Sequence, residues 1–190
     1  MNRNSNMRPI TRQLFSAAAL LAMAASPALA QQGGQQQVTQ PPGSGAEELV
    51  GLFGATCLHF AGNPTAVRGF MTQQGVPVMP EKARAAFLAG RAGQVFDASE
   101  PGVNLAVVSL DDGGCEAVVE KADPNEVLSA LQKAATDAKT PLTRLGEQAD
   151  PGAGGVHHAA FGLTEAGRQM HILVSTAAAP PQAVLTLAPK

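Results

Sequence analysis

The chain has 190 residues, with thirteen Lys and Arg against fifteen Asp and Glu, a formal charge of −2, two cysteines, no Trp and no Tyr. Its basic residues are scattered, which excludes the grouped Lys and Arg that neutralise nucleic-acid phosphates. The missing indole and phenol rings weigh against a carbohydrate groove, and 45% apolar residues suffice for one domain with a real core.

Residues 1–30 carry Arg3, Arg8 and Arg12 with no acidic residue, then an apolar run from Leu14 to Ala25, Pro27, and Ala28-Leu29-Ala30. A basic start, an apolar run shorter than the roughly 20 residues a bilayer needs, and a small-x-small ending make a cleavable secretory signal. Cleavage near Ala30/Gln31 predicts a periplasmic or extracellular protein that meets the membrane only during export. It also removes three arginines, leaving ten Lys and Arg against fifteen Asp and Glu. Residues 31–45 are rich in Gln, Gly and Pro, with Val38 their one apolar side chain. They read as a disordered leader, and a single domain is expected over 46–190.

The domain opens with Ser44-Gly45-Ala46-Glu47, a capping-box pattern that predicts a helix with Leu49, Phe53, Cys57 and Phe60 on one face. Asn63-Pro64 predicts a second helix, with Val67, Phe70 and Met71 inward and Gly75 at its end. Pro80 predicts a third, short helix through Phe87 and Leu88, stopped at Gly90. The apolar period then falls from 3.6 to 2. Residues 93–98 and 103–110 are expected as strands, the second central because it is apolar on both faces. Asp111-Asp112-Gly113-Gly114 is a tight-turn signal returning the chain through 115–120. Asp123-Pro124-Asn125-Glu126 caps a fourth helix carrying Val127, Leu128, Leu131 and Ala135 inward. Strand patterns follow at 142–148, 156–163, 168–176 and 183–187. The order predicts an α+β fold: N-terminal helices on an antiparallel sheet of about five strands with one inserted helix, a β-β-α-β-β-β order similar to profilin-like or PAS-like modules.

Cys57 and Cys115 are the only cysteines, and export would deliver them to an oxidising compartment. Fifty-eight residues apart, they lack the Cys-x-x-Cys spacing of a redox site and read as a structural disulfide, with two free buried thiols the alternative. No catalytic, cofactor-binding or metal-binding set emerges. His157-His158 and His171 flank a hairpin turn, but adjacent strand residues point to opposite faces, so at most two histidines converge where zinc needs three or four ligands. His59 suits a helix C-terminus. The mature serines, Ser44, Ser99, Ser109, Ser129 and Ser175, include no Gly-x-Ser-x-Gly elbow. Asp111 and Asp112 belong to the turn, and the glycines of 150–155 do not follow a strand and open a helix, so they cradle no phosphate. Arg91 and Gln94, at the junction of helices and sheet, are candidates to line a cleft, with His158 and His171.

Ala55-Thr56-Cys57, Asn63-Pro64-Thr65-Ala66-Val67-Arg68, Gly90-Arg91-Ala92-Gly93-Gln94-Val95-Phe96 and Asp112-Gly113-Gly114-Cys115 form a pattern that resembles an uncharacterised family of small exported bacterial proteins. The resemblance covers residues 46 to about 138. It implies an envelope location and a paired-cysteine framework, and brings no activity with it. Taken together, these features favour a non-enzymatic interaction or small-ligand-binding module without a cofactor, its partner an envelope protein or a small ligand. The alternative is a small envelope hydrolase whose catalytic residues the sequence does not reveal.

Overall fold

The computed structural model describes residues 45–150, 155–165, 168–178 and 181–188. The signal segment, the leader up to Ser44 and the glycine-rich 151–154 lie outside the described residues. Two of the described helices begin where side-chain capping places them. Asn63 accepts from the Ala66 N–H at 3.0 Å, with Pro64 at the first position of the helix 64–73. Asp123 accepts from the Asn125 and Glu126 N–H groups at 2.8 and 3.2 Å and opens the helix 124–137. Each cap satisfies amides that the first turn leaves without partners.

The first helix, α1 (Ala46–Phe53), has Gly45 at its N-cap with no side-chain hydrogen bond; Ser44 of the expected capping box lies outside the described residues. Glu47 and Glu48 in its first turn complement the positive helix end. Beyond Phe53 the helix does not continue to Phe60 as an α-helix; it widens into a π-helical turn, Gly54–Leu58. The His59 N–H reaches Gly54 O at 3.2 Å, and the Thr56 hydroxyl donates back to Leu52 O at 2.6 Å. Gly54 offers no side chain to resist the widening, and the threonine bond competes with the regular ladder. The other helices are α2 (Pro64–Gln73), α3 (Glu81–Leu88) and α4 (Pro124–Asp137). Ala89 and Gly90, both in the left-handed region at φ 47 and 83, end α3.

The fold is α+β, but all seven strand-patterned segments join one antiparallel sheet, which exceeds the expected five. They are β1 (Gly93–Asp97), β2 (Leu105–Leu110), β3 (Cys115–Glu120), β4 (Thr143–Asp150), β5 (Val156–Glu165), β6 (Arg168–Ala178) and β7 (Pro181–Ala188). Their spatial order is β1-β2-β3-β7-β6-β5-β4. Three strands, not two, precede α4, so the five-stranded β-β-α-β-β-β order is not the one that forms. The chain leaves β3, passes through α4, enters at the far edge as β4, and works back until β7 fills the gap beside β3. The β2 strand is buried along its whole length, as its two apolar faces predicted, yet β7 holds the middle position.

Register explains which side chains form the core. The row Phe96, Val107, Ala117, Leu185, Val174 and Ala159 runs across six strands, and every member is buried. On this face lie Leu49 and Phe53 of α1, Val67 and Met71 of α2, and Val127 and Leu131 of α4. The opposite face is covered near β1 and β2 by α3, through Phe87 and Leu88 against Val95, Val108 and Leu110. Antiparallel sheets tolerate one wet face. Here Leu173 of β6 stays 39% exposed on the side away from α1 and α4.

Two features fasten the helices to the sheet. Cys57 of the π-helical turn is disulfide-bonded to Cys115 of β3, and both are buried. Arg68 of α2 donates to Ser109 O at 2.9 Å and pairs with Asp111 at the hairpin turn. In that turn the Gly114 N–H donates to Asp112 Oδ1 at 2.9 Å, and Gly113 sits at φ 93, where a side chain would be strained.

Candidate functional site

The helical layer leaves a gap. A cavity of about 240 Å³ lies between α1 with its π-helical turn, α4 and the sheet. Val50, Phe53 and Leu58 form one wall, Leu163 and Ile172 the floor. The opposite wall is Leu131 followed by Ala134, Ala135 and Ala138. Along α4 the side chains toward the sheet shrink from the buried Val127 and Leu131 to the half-buried Ala135, and Ala138 just past the helix is exposed, so the end of the helix leaves the space beneath it unfilled. Gly54 adds a second place where no side chain projects. Among the described residues no Asp, Glu, Lys or Arg lines the cavity, and the polar side chains at it are His59 and Thr140. The His59 ring is exposed and lies edge-on to Phe60, with centroids 4.5 Å apart. Helix widenings of this kind recur at ligand sites, because they move a side chain out of α-helical register.

The four residues singled out from sequence as cleft-lining do not border this cavity. Arg91 stands at the end of α3 on the other side of the sheet. Its guanidinium holds Glu116 of β3 through bonds of 2.5 and 3.1 Å, and also donates to the Phe87 and Leu88 carbonyls at 3.0 Å. Hydrogen bonding to Glu116 raises its pKa above the ordinary arginine value, against the opposing effect of burial. Arg91 therefore clamps α3 to β3. Gln94, opposite Ser109, alternates onto the same face as Phe96 and does not meet Arg91. His158 sits opposite Ser175, while His171 sits opposite Gly162, four residues farther along β6. At about 3.4 Å per residue the two rings stand well over 10 Å apart along the strand. Among the described residues no group of three or more His, Cys, Asp or Glu could hold a metal ion.

The clamp carries a prediction. Glu116 has 12% side-chain exposure against 42% for Arg91, so removing the arginine strands a carboxylate that water reaches poorly. Arg91→Met is expected to destabilise the fold by about 1–2 kcal/mol, the half-exposed arginine limiting the loss. Thermal melts of Arg91→Met, Glu116→Leu and the double variant measure it. Recovery in the double variant is the expected sign of a stranded charge; simple additivity would contradict it.

One polar contact has the look of catalytic chemistry. His158 Nδ1 lies 2.9 Å from Ser175 Oγ on the side of the sheet away from α1 and α4. Gln148 and Val184 are their direct neighbours in register. Neither residue borders the cavity.

No family model matches the chain, and neither a curated protein nor a solved structure matches it. What fold and site define together is a class by architecture: an α+β domain with a disulfide-braced helical layer and an uncharged, ligand-sized cavity. The alanines that shape the cavity escaped the sequence reading, which took Ala135 as one more core position. The available signal was the taper from Val127 and Leu131 to Ala135 and Ala138, beside a glycine at 54.

Proposed function

We propose that this is an exported binding module, periplasmic or extracellular, that takes a small apolar ligand between α1, its π-helical turn and α4, and that it is not an enzyme. The single observation that carries the reading is the cavity of about 240 Å³ with no charged side chain in its lining among the described residues. A cavity of roughly 150 Å³ walled by Leu, Ile and Phe is enough to bind benzene, which scales to about ten carbon atoms here. Export rests on the basic, apolar, small-x-small order of residues 1–30. The buried disulfide supports it, and among the described residues no helix is long and apolar enough to cross a membrane.

Filling the space tests the reading. Ala135→Phe is expected to abolish binding of naphthalene while leaving the melting temperature within a few degrees, because an aromatic ring replaces the ligand against the same walls. Fluorescence of naphthalene titrated with protein gives the result, since the chain has no Trp or Tyr to interfere. Equal binding by wild type and variant would move the site elsewhere. The hydrolase alternative rests on His158 and Ser175 alone. Turnover of a simple aryl ester that vanishes in Ser175→Ala would favour it over a binding module.

A further inference from the structure

The two edges of the sheet differ. Along β1 the chain itself closes the edge: the Met79 N–H donates to Val95 O and the Asp97 N–H to Pro77 O, each at 2.9 Å, and Val78 bridges to Phe96. At the other edge β4 pairs with β5 alone among the described residues, and residues 143–149 are all exposed. A bare ladder of N–H and C=O groups is a template for another strand.

The β4 strand is irregular. Its register slips between Arg144 and Gly146, which makes Leu145 an extra residue. Arg144 lies opposite the buried Phe161 and Glu147 opposite the buried Ala159, so both stand on the side of the helices. Thr143, Gly146 and Gln148 lie opposite Gly162, Ala160 and His158 on the other side. Leu145 joins them there, its methyls 3.5 Å from where a side chain at Gly162 would begin, and it is 54% exposed. From 143 to 148 the sides read out, in, out, out, in, out, the same in either direction. A regular strand meets that order only by leaving the extra residue unpaired, as β5 does. An antiparallel copy of β4 matches it position for position.

Charge follows the same symmetry. About a two-fold axis between Leu145 and Gly146, Arg144 faces Glu147 of the second copy, and Glu147 faces Arg144 of the second copy. Within one chain the two already form an ion pair, each about half exposed, so each keeps an opposite charge at hand when the copies meet. On the other side of the sheet the two Leu145 side chains become diagonal neighbours and cover one another. We infer that β4 is a self-pairing edge: the protein forms a two-fold dimer in which two sheets continue into one through β4, in the register Arg144↔Glu147. The contact is isologous and one strand wide, so association is weak and rises with concentration.

Sedimentation equilibrium of the mature protein, from micromolar to millimolar, tests the pairing with two charge variants. The wild type is expected to dimerise. Arg144→Glu alone and Glu147→Arg alone each set like charges opposite one another twice, and each is expected to weaken the dimer about 10- to 100-fold. Mixed in equal amounts, the two variants are expected to recover wild-type affinity, because every arginine then faces a glutamate again. Both variants are expected to keep the wild-type melting temperature, since exposed ion pairs contribute little. A wild type that stays monomeric at every concentration overturns the inference. So does a dimer that the single variants leave intact, or a mixture that associates no better than its components.

Discussion

Ending the chain at Pro180 is expected to abolish cooperative folding. Only β7 is lost, but β7 is the strand that joins two three-stranded halves. It pairs with β3 from Cys115↔Leu187 to Glu120↔Gln182, and with β6 from His171↔Ala188 to Ala178↔Pro181. Its Ala183, Leu185 and Leu187 are 0%, 0% and 3% exposed. Burial of two leucines and an alanine contributes about 4–6 kcal/mol, close to the lower end of the 5–15 kcal/mol that holds a domain together. The truncation also bares the β3 and β6 ladders, two unprotected edges that invite association between chains. Lost amide dispersion in a two-dimensional NMR spectrum, with no sigmoidal melt by far-ultraviolet circular dichroism, is the expected outcome. A truncated chain that keeps both would mean that the halves fold independently of the strand between them.

That placement of β7 marks where local sequence stops informing. Asn63-Pro64 and Asp123-Pro124 carry their own hydrogen-bonding chemistry, and the Asp111–Gly114 turn needs little beyond its own residues, so these features were legible. The strand segments were equally plain, from 93–98 to 183–187. What alternation cannot encode is which edges meet. The last hairpin could have left β7 exposed at an edge, and only the unpaired side of β3, reachable after α4 crosses the sheet, draws it inward. The count of five strands failed on this nonlocal point, while the α+β class survived it. The π-helical turn was hidden for another reason. Leu49, Phe53, Cys57 and Phe60 satisfy an α-helical spacing, and the cause of the widening is a threonine bond back to Leu52 O beside a glycine. The cavity was least legible of all, because it consists of side chains that are too small. An alanine on a helix face looks the same in sequence whether a neighbour fills the space above it or nothing does.

Replacing Cys57 and Cys115 by alanine together is expected to lower stability by about 4 kcal/mol, the chain-entropy value for a loop of this length. The bond closes a loop spanning 58 residues that includes α2, α3, β1 and β2, so reducing it frees the unfolded chain more than it disturbs the native one. Alanine is the better probe than serine: with the two positions 0% and 3% exposed, a pair of serine hydroxyls would add a desolvation cost unrelated to the crosslink. The corresponding fall in melting temperature is on the order of 10 °C. Differential scanning calorimetry of the oxidised protein and the double alanine variant measures it. A shift of only two or three degrees would mean that Leu49, Phe53 and their sheet partners hold the helical layer unaided. The same burial predicts that a phosphine reductant leaves the bond intact in the folded protein and cleaves it once urea unfolds the chain.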